Sequence, residues 1–354
     1  MSDKILLAHG SGGRMSHELV EQVFLKHLDN PILAQMDDAA VIGSSRLFLR
    51  GGVPGDLAFT TDSYVVSPIF FPGGDIGKLA VCGTINDLAM RGATPFCLSA
   101  GFILEEGVPL SDLERVVDSM ARTAQEAGVP VVTGDTKVVD RGKADRLFIN
   151  TAGIGVVPPR VRIGGRQVRP GDVVILSGTI GDHGMTIMVH REGLRFDSPL
   201  ASDCAPLHAL VAAILDQVGS EEEETPAESQ VIHCLRDPTR GGLATALNEV
   251  AVSSGVGIEI EERSIPVRDA VRAACELLGL DPLYVANEGK LVAFVAPTVA
   301  DLVLDVMRAH EYGHEAEIIG RVTSEHPGRV VLRTPLGARR VVDMLLGEQL
   351  PRIC

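Results

Sequence analysis

The sequence contains no Trp, and aromatic residues make up only 4% of its 354 residues. Proteins that bind single-stranded nucleic acids commonly stack bases on aromatic rings, and phosphate backbones require basic surfaces. This chain instead carries 47 acidic against 32 basic residues, a formal net charge of −15. These shortages argue against nucleic-acid binding. An anionic ligand such as a nucleotide would need help from metal ions and backbone NH groups.

A long apolar run is also missing. A membrane-spanning helix needs about 20 consecutive apolar residues, and no segment of the sequence approaches that length. The first four residues (MSDK) do not resemble the start of a secretory signal peptide. We therefore expect a cytoplasmic protein without a membrane partner.

The six cysteines include no Cys-x-x-Cys pair, and they are scattered along the chain. This scatter favours free thiols in a reducing compartment over a disulfide framework or a zinc site. One of them, Cys354, ends the sequence. A terminus is mobile unless it is docked, and a thiolate is a strong nucleophile, so Cys354 is placed to carry a reactive group on a tether. For an arbitrary sequence, chance is the more common reason for a terminal cysteine.

Strand-like and helix-like segments alternate twice along the chain, which predicts an α/β (α+β) protein of two domains. In the first half we predict strands over 57–66, 129–133 and 147–157, a helix over 75–91, and a helix from a Ser111–Glu114 capping box to about Gly128. In the second half we predict strands over 173–177, 231–235, 292–295 and 318–322, and helices over 206–218, 242–253 and 300–310.

Proline and glycine pairs near positions 158–171 interrupt this alternation and mark the boundary between the domains. We expect an N-terminal domain over 1–158, a C-terminal domain over 168–343 and an exposed, mobile tail over 344–354. The four consecutive glutamates at 221–224 predict a solvated loop.

Several aspartates occur next to small residues or at strand ends. Singly, each is more often a helix cap or a turn residue. Carboxylates at strand ends can converge in a folded sheet, and such oxygen ligands suit Mg²⁺ shared with a polyphosphate. Asp87 is the most informative, because it lies in a helix of small and apolar residues where a buried charge is costly unless it is paired or binds metal. The set is Asp38, Asp62, Asp87, Asp135 and Asp237.

Two glycine clusters could surround phosphates with backbone NH groups, namely residues 9–14 (HGSGGR) and Arg240-Gly241-Gly242. Neither is a Walker A loop, and alone each is more often a flexible connector. Lys137, two residues beyond Asp135, could stabilise a transferring phosphoryl group. Glu288 precedes an apolar strand, where its carboxylate could face a cleft. An ordinary surface ion pair is as common as a functional role for Lys137 and more common for Glu288.

Together these segments resemble the ATP-binding superfamily of aminoimidazole ribonucleotide synthetase, thiamine-monophosphate kinase and selenophosphate synthetase. Within that superfamily the chain resembles the HypE family of hydrogenase maturation proteins over almost its whole length. The acidic run at 221–224 is the one segment that does not match the pattern. The residues that carry the resemblance are the motifs DDAAV (37–41), TD (61–62), NDLA (86–89), GATP (92–95), GDT (134–136) and PGD (170–172) together with HGSGG (9–13), SPIFFPGGDIGK (67–78), DPTRGG (237–242), ANEGK (286–290) and the terminal PRIC (351–354).

The resemblance implies a PurM-like fold, and a homodimer whose N-terminal sheets pair, with ATP in a cleft of the N-terminal domain. It implies that a HypF-type carbamoyltransferase loads Cys354, that ATP-dependent dehydration leaves a thiocyanate, and that a HypC–HypD scaffold accepts the cyanide for the iron of [NiFe] hydrogenase. Lys137 would stabilise the transferred phosphoryl or imidate oxygen, and Glu288 would act as the base. The five aspartates would bind Mg²⁺. The implied nucleotide-binding residues are Asp38, Thr61, Asp62, Asp87, Gly134, Asp135, Asp237, Arg240 and Gly241.

Two other functions remain open from the sequence. A kinase or synthetase of the same superfamily could act on a free small molecule, although such an enzyme has no use for Cys354. A non-catalytic carrier could use Cys354 only to shuttle a group, with a regulatory nucleotide site.

Overall fold

A computed structural model of the chain describes residues 13–19, 21–22, 35–42, 55–159, 161–194, 196, 199–218, 230–345, 347, 350 and 352–354. The acidic run at 221–224 and most of the first glycine cluster (residues 9–12) lie outside the described residues. Within the described part, no helix is both long and apolar enough to cross a membrane. All six cysteines are free thiols.

The N-terminal half forms a five-stranded sheet in the order β1-β2-β7-β5-β6, in which β5 and β6 are parallel and the other neighbours antiparallel. A two-stranded sheet of β3 and β4 stands apart from it. The elements of this half are α1 (Arg14–Leu19), β1 (Ala40–Ile42), β2 (Asp56–Tyr64), β3 (Phe70–Phe71), β4 (Gly74–Asp75), α2 (Ile76–Met90), β5 (Thr94–Glu105), α3 (Leu110–Ala127), β6 (Val131–Val139) and β7 (Leu147–Val157).

Helix α2 packs on one face of this sheet, and α3 packs against α2. Asp75 caps α2, because its Oδ1 accepts hydrogen bonds from the backbone NH groups of Gly77 (2.8 Å) and Lys78 (3.1 Å). Nearly all side chains of α2 are buried, as expected for a helix that is apolar on every side. The sheet and α2 therefore form a rigid base for the residues at the end of the helix.

Helix α3 begins one residue earlier than its predicted capping box. The residue before the helix is Pro109, with φ −59°, and no side chain caps the first turn. Because proline already holds the backbone near a helical φ, the chain enters the helix at Leu110 and places Ser111 inside it. The capping-box prediction is therefore wrong. The predicted end is confirmed, since Gly128 has the left-handed φ of 69° that favours glycine.

The C-terminal half forms a seven-stranded sheet in the order β14-β13-β10-β12-β8-β11-β9. Buried apolar clusters cover both of its faces, one with α6 and the other with α5 and α8. The elements are β8 (Val173–Leu176), α4 (Asp182–Arg191), α5 (His208–Val218), β9 (Ile232–Arg236), α6 (Gly242–Ser254), β10 (Gly257–Glu261), α7 (Asp269–Leu278), β11 (Val292–Val295), α8 (Ala300–Ala309), β12 (Glu317–Thr323), β13 (Val330–Arg333) and β14 (Arg339–Val342).

The alternating α/β pattern predicted for both halves is confirmed. Several elements were not predicted, among them the twelve-residue strand β5 and the shorter α4, β10, α7, β13 and β14. The first sheet ends at Val157 and the second begins at Val173. The residues between them, at 158–172, include the proline and glycine pairs of the predicted boundary.

Candidate active site between the two domains

The end of the chain reaches a cavity between the two halves, which Cys354 lines, while Arg352 is exposed. Ile353 is buried, and it belongs to the apolar cluster that includes Tyr64, Phe71 and Ile187. The backbone NH of Ser67 donates to the carbonyl oxygen of Arg352 at 3.1 Å. The cavity is lined by Asp62, Ser63, Tyr64, Gly83, Asp87, Asp237, Thr239, Arg240, Glu288 and Cys354.

Residues 353 and 354 are docked in this structure, and the mobility expected of the tail stays a prediction. An apolar side chain at position 353 gains from burial, and the cavity offers it an apolar wall. With the tail in place the cavity keeps about 20 Å³, room for roughly one water molecule. Cys354 itself is partly exposed, and its thiol lies among polar and charged side chains.

Glu288 is buried beside Cys354, at 3% exposure. Among the described residues its Oε1 atom has no hydrogen-bond partner. Burial raises the pKa of this carboxyl group well above its ordinary value, and the neighbouring Cys204, Asp203 and Asp237 raise it further. Its side chain is also hydrogen-bonded to Cys354. A buried carboxyl group with a raised pKa and one oxygen without a partner is typical of a functional site.

The loop that carries Glu288 is held by its neighbours. The Asn287 side chain donates to the carbonyl oxygen of Pro238 at 2.8 Å and accepts from the backbone NH of Gly181 at 2.7 Å. A Cβ on Gly289 would lie 1.8 Å from the carbonyl oxygen of Asp203, so only glycine permits this approach. The sequence therefore positions Glu288 from both sides.

Arg240 supplies the positive charge nearest to Cys354. Its guanidinium Nη2 lies 3.5 Å from Oδ1 of Asp62. Attraction to Cys354, Asp62 and Glu288 raises the pKa of Arg240. The pKa of the Cys354 thiol is raised well above its ordinary value, mainly by burial. Arg240 lowers this pKa, whereas Glu288 and Asp62 raise it. The docked sulfur is therefore a thiol at neutral pH.

Three of the predicted aspartates converge at one end of the cavity. Carboxylate oxygens of Asp38, Asp87 and Asp237 lie within 4.8 Å of one another. Asp62 is close enough to raise the pKa of both Asp87 and Asp237. Asp38 lies just before β1, Asp87 in α2, Asp237 just after β9 and Asp62 in β2, so the fold joins four distant parts of the chain.

The mutual repulsion of these carboxylates is visible in their pKa values. Burial is the largest cause for each of them. It raises the pKa of Asp38 to about 6 and that of Asp237 to about 8, with further increases from neighbouring carboxylates. The pKa of Asp87 is raised well above its ordinary value by burial, Asp237, Asp62 and Asp38. A cation at this position would relieve the repulsion.

Residues that the sequence reasoning missed orient this cluster. Thr60 donates its hydroxyl to Oδ2 of Asp87 at 2.8 Å. Arg236 lies 2.9 Å from Oδ1 of Asp38 and forms a second ion pair with Glu249. His17 extends the network, with Nε2 at 2.7 Å from Oε1 of Glu249. The one available signal was that Thr60 and Arg236 immediately precede predicted site segments.

Six predicted site residues do not line this cavity, among them Asp38 and Gly241. Thr61, Gly134, Asp135 and Lys137 are exposed, and none of them lines it. Lys137 Nζ lies 3.4 Å from Oδ2 of Asp135, with both side chains more than two thirds exposed.

The sheet register explains this separation. Lys137 is paired with Ile103, and neighbouring residues of a ladder share a face, so Lys137 lies on the face opposite the helices. Asp62 is paired with the buried Thr151 and lies on the helix face. Gly134 has a structural role, since a Cβ there would lie 2.3 Å from the carbonyl oxygen of Ala100.

The glycines of the two clusters permit close backbone approaches. Gly241 precedes α6 with a φ of 81°, and a Cβ on it would lie 2.2 Å from the hydroxyl oxygen of Thr245. Gly13, the one described glycine of the first cluster, would place a Cβ 2.2 Å from the carbonyl oxygen of Leu345. Neither glycine lines the cavity around Cys354.

Comparison with known proteins identifies the class. The family model described as AIR synthase related protein, N-terminal domain, matches residues 36–157, and the model of the C-terminal domain of the same family matches residues 169–333. The chain therefore belongs to the AIR synthase related proteins, whose two-domain PurM-like fold accounts for the two halves.

Full-length relatives narrow the class. A carbamoyl dehydratase HypE from Azotobacter vinelandii is 56% identical over 98% of this chain and 96% of its own length. A solved structure of hydrogenase maturation protein HypE in complex with ATP is 50% identical, covers 99% of this chain and 100% of its own, and has a TM-score of 0.80. A HypE–HypF complex is 48% identical over 92% and 99%, with a TM-score of 0.83. Within its class, the chain is a member of the HypE family of carbamoyl dehydratases.

Proposed function

We propose that this enzyme uses ATP to remove water from a carbamoyl group carried on its own Cys354, leaving a thiocyanate. The observation that carries the proposal is the position of the Cys354 thiol beside Glu288 and Arg240, in one cavity with Asp62, Asp87 and Asp237. A sulfur at a chain terminus is thereby placed against both a base and a set of carboxylates suited to a phosphate-bound cation.

The reaction balances as follows. The loaded tail carries the thiocarbamate S–C(=O)–NH₂, whose oxygen is a poor leaving group. That oxygen attacks the γ-phosphorus of ATP, the bond to the bridging oxygen breaks, and ADP leaves. The nitrogen loses one proton as a C=N bond forms. It loses the second as phosphate departs with the former carbonyl oxygen, so that S–C≡N remains.

Glu288 is the proposed base for the second of these protons, whose loss drives out phosphate and completes the C≡N bond. The first proton can pass to the phosphoryl oxygens and leave with the phosphate. Glu288 must first lose its own proton to act as this base. Its raised pKa then makes the ionised carboxylate a stronger base than usual towards a weakly acidic N–H group. Its Oε1, without a hydrogen-bond partner in the described structure, is free to receive that proton. Arg240, on the same cavity wall, would offset negative charge that develops on the carbamoyl oxygen.

The carboxylates fit a divalent cation. Asp38, Asp87 and Asp237 present oxygens within 4.8 Å of one another, and hard oxygen ligands are those that Mg²⁺ prefers. Asp62 lies beside them. Bound there, Mg²⁺ would neutralise charge on the triphosphate. Support for ATP itself comes from the relative whose structure was solved in complex with ATP.

Binding of Mg²⁺ should release protons at neutral pH. Asp237, with a pKa of about 8, is mainly protonated at pH 7 before a cation arrives, and ligand carboxylates must ionise. We expect the release of at least about one proton per site at pH 7, and an affinity that rises between about pH 6 and pH 8. Calorimetry in two buffers of different ionisation enthalpy measures this release. Equal heats in both buffers would contradict it, and Asp237→Asn should reduce the release.

Lys137 lies outside the cavity of its own chain, and we propose that it acts in the site of a second copy of the chain. The outer face of the N-terminal sheet exposes large apolar side chains, with Phe59 at 42%, Ile103 at 44% and Phe96 at 69%. Such a face is expected to be covered, and a symmetric homodimer covers the same patch on both copies. We propose that Lys137 and Asp135, which project from this outer face, reach the site of the partner copy rather than their own.

Two further partners follow from the chemistry. The tail needs a carbamoyl donor, and a HypF-type carbamoyltransferase is proposed because a HypE relative has been solved in a HypE–HypF complex. The thiocyanate needs an acceptor for its cyanide, and a HypC–HypD scaffold on the way to [NiFe] hydrogenase is proposed from the family resemblance alone.

A test of ATP turnover separates the proposal from its two rivals. With a HypF-type partner and carbamoyl donor present, we expect loading to stimulate ATP hydrolysis by wild type, and Cys354→Ala to abolish that stimulation. The control Cys97→Ala, at a partly buried cysteine outside the cavity, should behave as wild type. Unchanged turnover in Cys354→Ala would favour a kinase of free small molecules. A loaded tail without ATP turnover would favour a carrier.

A further inference from the structure

His183, in the first turn of α4, is fully buried and lies against the tail. Its Nε2 is 2.9 Å from the carbonyl oxygen of Ile353. A carbonyl oxygen can only accept, so Nε2 carries the hydrogen of this bond. The tail is thus bound through its backbone by a ring nitrogen that must be a donor.

The other ring nitrogen has a partner that sets the same tautomer. Nδ1 of His183 is 2.8 Å from the hydroxyl oxygen of Ser202, and that oxygen also accepts the backbone NH of Cys204 at 3.1 Å. The Ser202 hydroxyl can therefore donate to Nδ1. Burial lowers the pKa of His183, which favours this neutral ring. The His183 ring also makes an edge-to-face contact with the ring of Phe71, with 5.5 Å between the ring centroids, and this contact restricts rotation of the imidazole.

The last turn of the same helix supplies a second contact with the tail. Arg191 Nη2 donates to the carbonyl oxygen of Arg352 at 2.7 Å and to that of Ser67 at 2.6 Å. Arg352 adopts a φ of 53°, in the left-handed region that non-glycine residues rarely occupy. Two residues of α4 thus bind two successive carbonyl groups immediately before the reactive cysteine.

From these contacts we infer that His183 is a positioning residue, which orients the Cys354 sulfur towards Glu288 by fixing the peptide group before it. The Ile353 carbonyl belongs to the planar peptide that joins residues 353 and 354, so a bond to its oxygen fixes the plane from which the Cys354 side chain departs. The inference has two parts, that His183 docks the tail and that this docking speeds dehydration, and only the second part rests on the proposed function.

The contacts also suit repeated docking and release. His183 and Arg191 bind backbone atoms and not the sulfur, so the same contacts remain available when the sulfur carries a group. The docked cavity has room for about one water molecule, so a carbamoyl donor must reach Cys354 while the tail is undocked. We call the hydrogen bonds from His183 and Arg191 to the tail carbonyl groups the latch. A few hydrogen bonds of this kind hold the tail weakly, as is needed for a tail that must undock and dock again.

The experiment compares His183→Ala, His183→Gln and the control His190→Ala, an exposed residue of the same helix. Native alkylation of unloaded Cys354 by iodoacetamide, followed by mass spectrometry of the C-terminal peptide, measures the undocked fraction. Single-turnover dehydration of loaded protein at saturating ATP measures positioning. We expect His183→Ala to raise the alkylation rate and to slow dehydration, each by about 3- to 10-fold, the effect of one hydrogen bond. Glutamine retains a side-chain N–H donor and should restore both rates in part.

Wild-type alkylation in His183→Ala would overturn the inference. Faster alkylation with wild-type dehydration would overturn the positioning role. If His183→Ala does not fold, Arg191→Gln, at a partly buried position, should give the same two effects, and wild-type behaviour there would count against the latch. The alkylation assay needs no loading. Faster alkylation of His183→Ala alongside a wild type that cannot dehydrate would therefore support the latch while rejecting the proposed function.

Discussion

Replacing Glu288 with glutamine is expected to leave the tail loadable but to slow its dehydration by about 10²- to 10⁴-fold, the usual contribution of a general base. Glutamine matches the shape of the carboxyl group but cannot accept a proton from the carbamoyl nitrogen. The rate is measured by single turnover on loaded protein. Glu276→Gln, an exposed position on α7, is the matched control. A wild-type rate in Glu288→Gln would exclude Glu288 as the base.

The same substitution should stabilise the fold at neutral pH, which separates lost chemistry from lost structure. The pKa of Glu288 is raised in the folded protein, so the unfolded chain ionises first as the pH increases. Stability from this group is complete below its ordinary pKa and is lost as the pH rises towards the folded value. We expect Glu288→Gln to melt above wild type at pH 8 and close to it at pH 4. Thermal unfolding at the two pH values measures this, and a lower melting temperature at pH 8 would contradict it.

Mixing two inactive variants is expected to restore activity if Lys137 acts on the tail of a partner copy. Lys137→Ala alone should be loaded but not dehydrated, and Cys354→Ala has no thiol that could be loaded. In a random mixture of equal parts, about half of the Lys137→Ala chains would pair with a chain that still carries Lys137. About half of the loaded tails should then be converted, measured by mass spectrometry after subunit exchange.

The matched control pairs Lys137→Ala with the double variant Lys137→Ala/Cys354→Ala, in which no chain supplies the lysine. That mixture should convert no tails. No rescue in the first mixture would place Lys137 in its own chain's site, which the sheet register argues against. Wild-type activity of Lys137→Ala alone would remove it from the reaction.

Part of this site could be predicted from local sequence patterns. Asp87 stood out as a charge in an apolar helix, and Asp237 follows a predicted strand. Asp38 precedes β1, which was not predicted, so its place in the cluster did not follow from the expected sheets. The two-residue period of a strand also requires that Thr61 and Asp62 project to opposite faces. Which face is buried depends on where α2 packs, a tertiary contact that no local pattern contains.

Other features could not be predicted because they arise from contacts between distant parts of the chain. His183 meets Ile353 across 170 positions, and Arg236 meets Asp38 from the other domain. The burial of the tail likewise depends on a cavity that two domains form together. Helix α4, which carries both tail contacts, has no strong apolar periodicity, since most of its residues are buried on every side.

Mass spectrometry of the C-terminal peptide tests the central claim most directly. After incubation with the loading partner and carbamoyl donor, we expect Cys354 to gain about 43 Da, the mass added by a carbamoyl group. On addition of ATP and Mg²⁺ the gain should fall to about 25 Da, the mass added by a cyano group. A loaded tail that keeps its mass while ATP is present, or a tail that never gains mass, would contradict the account.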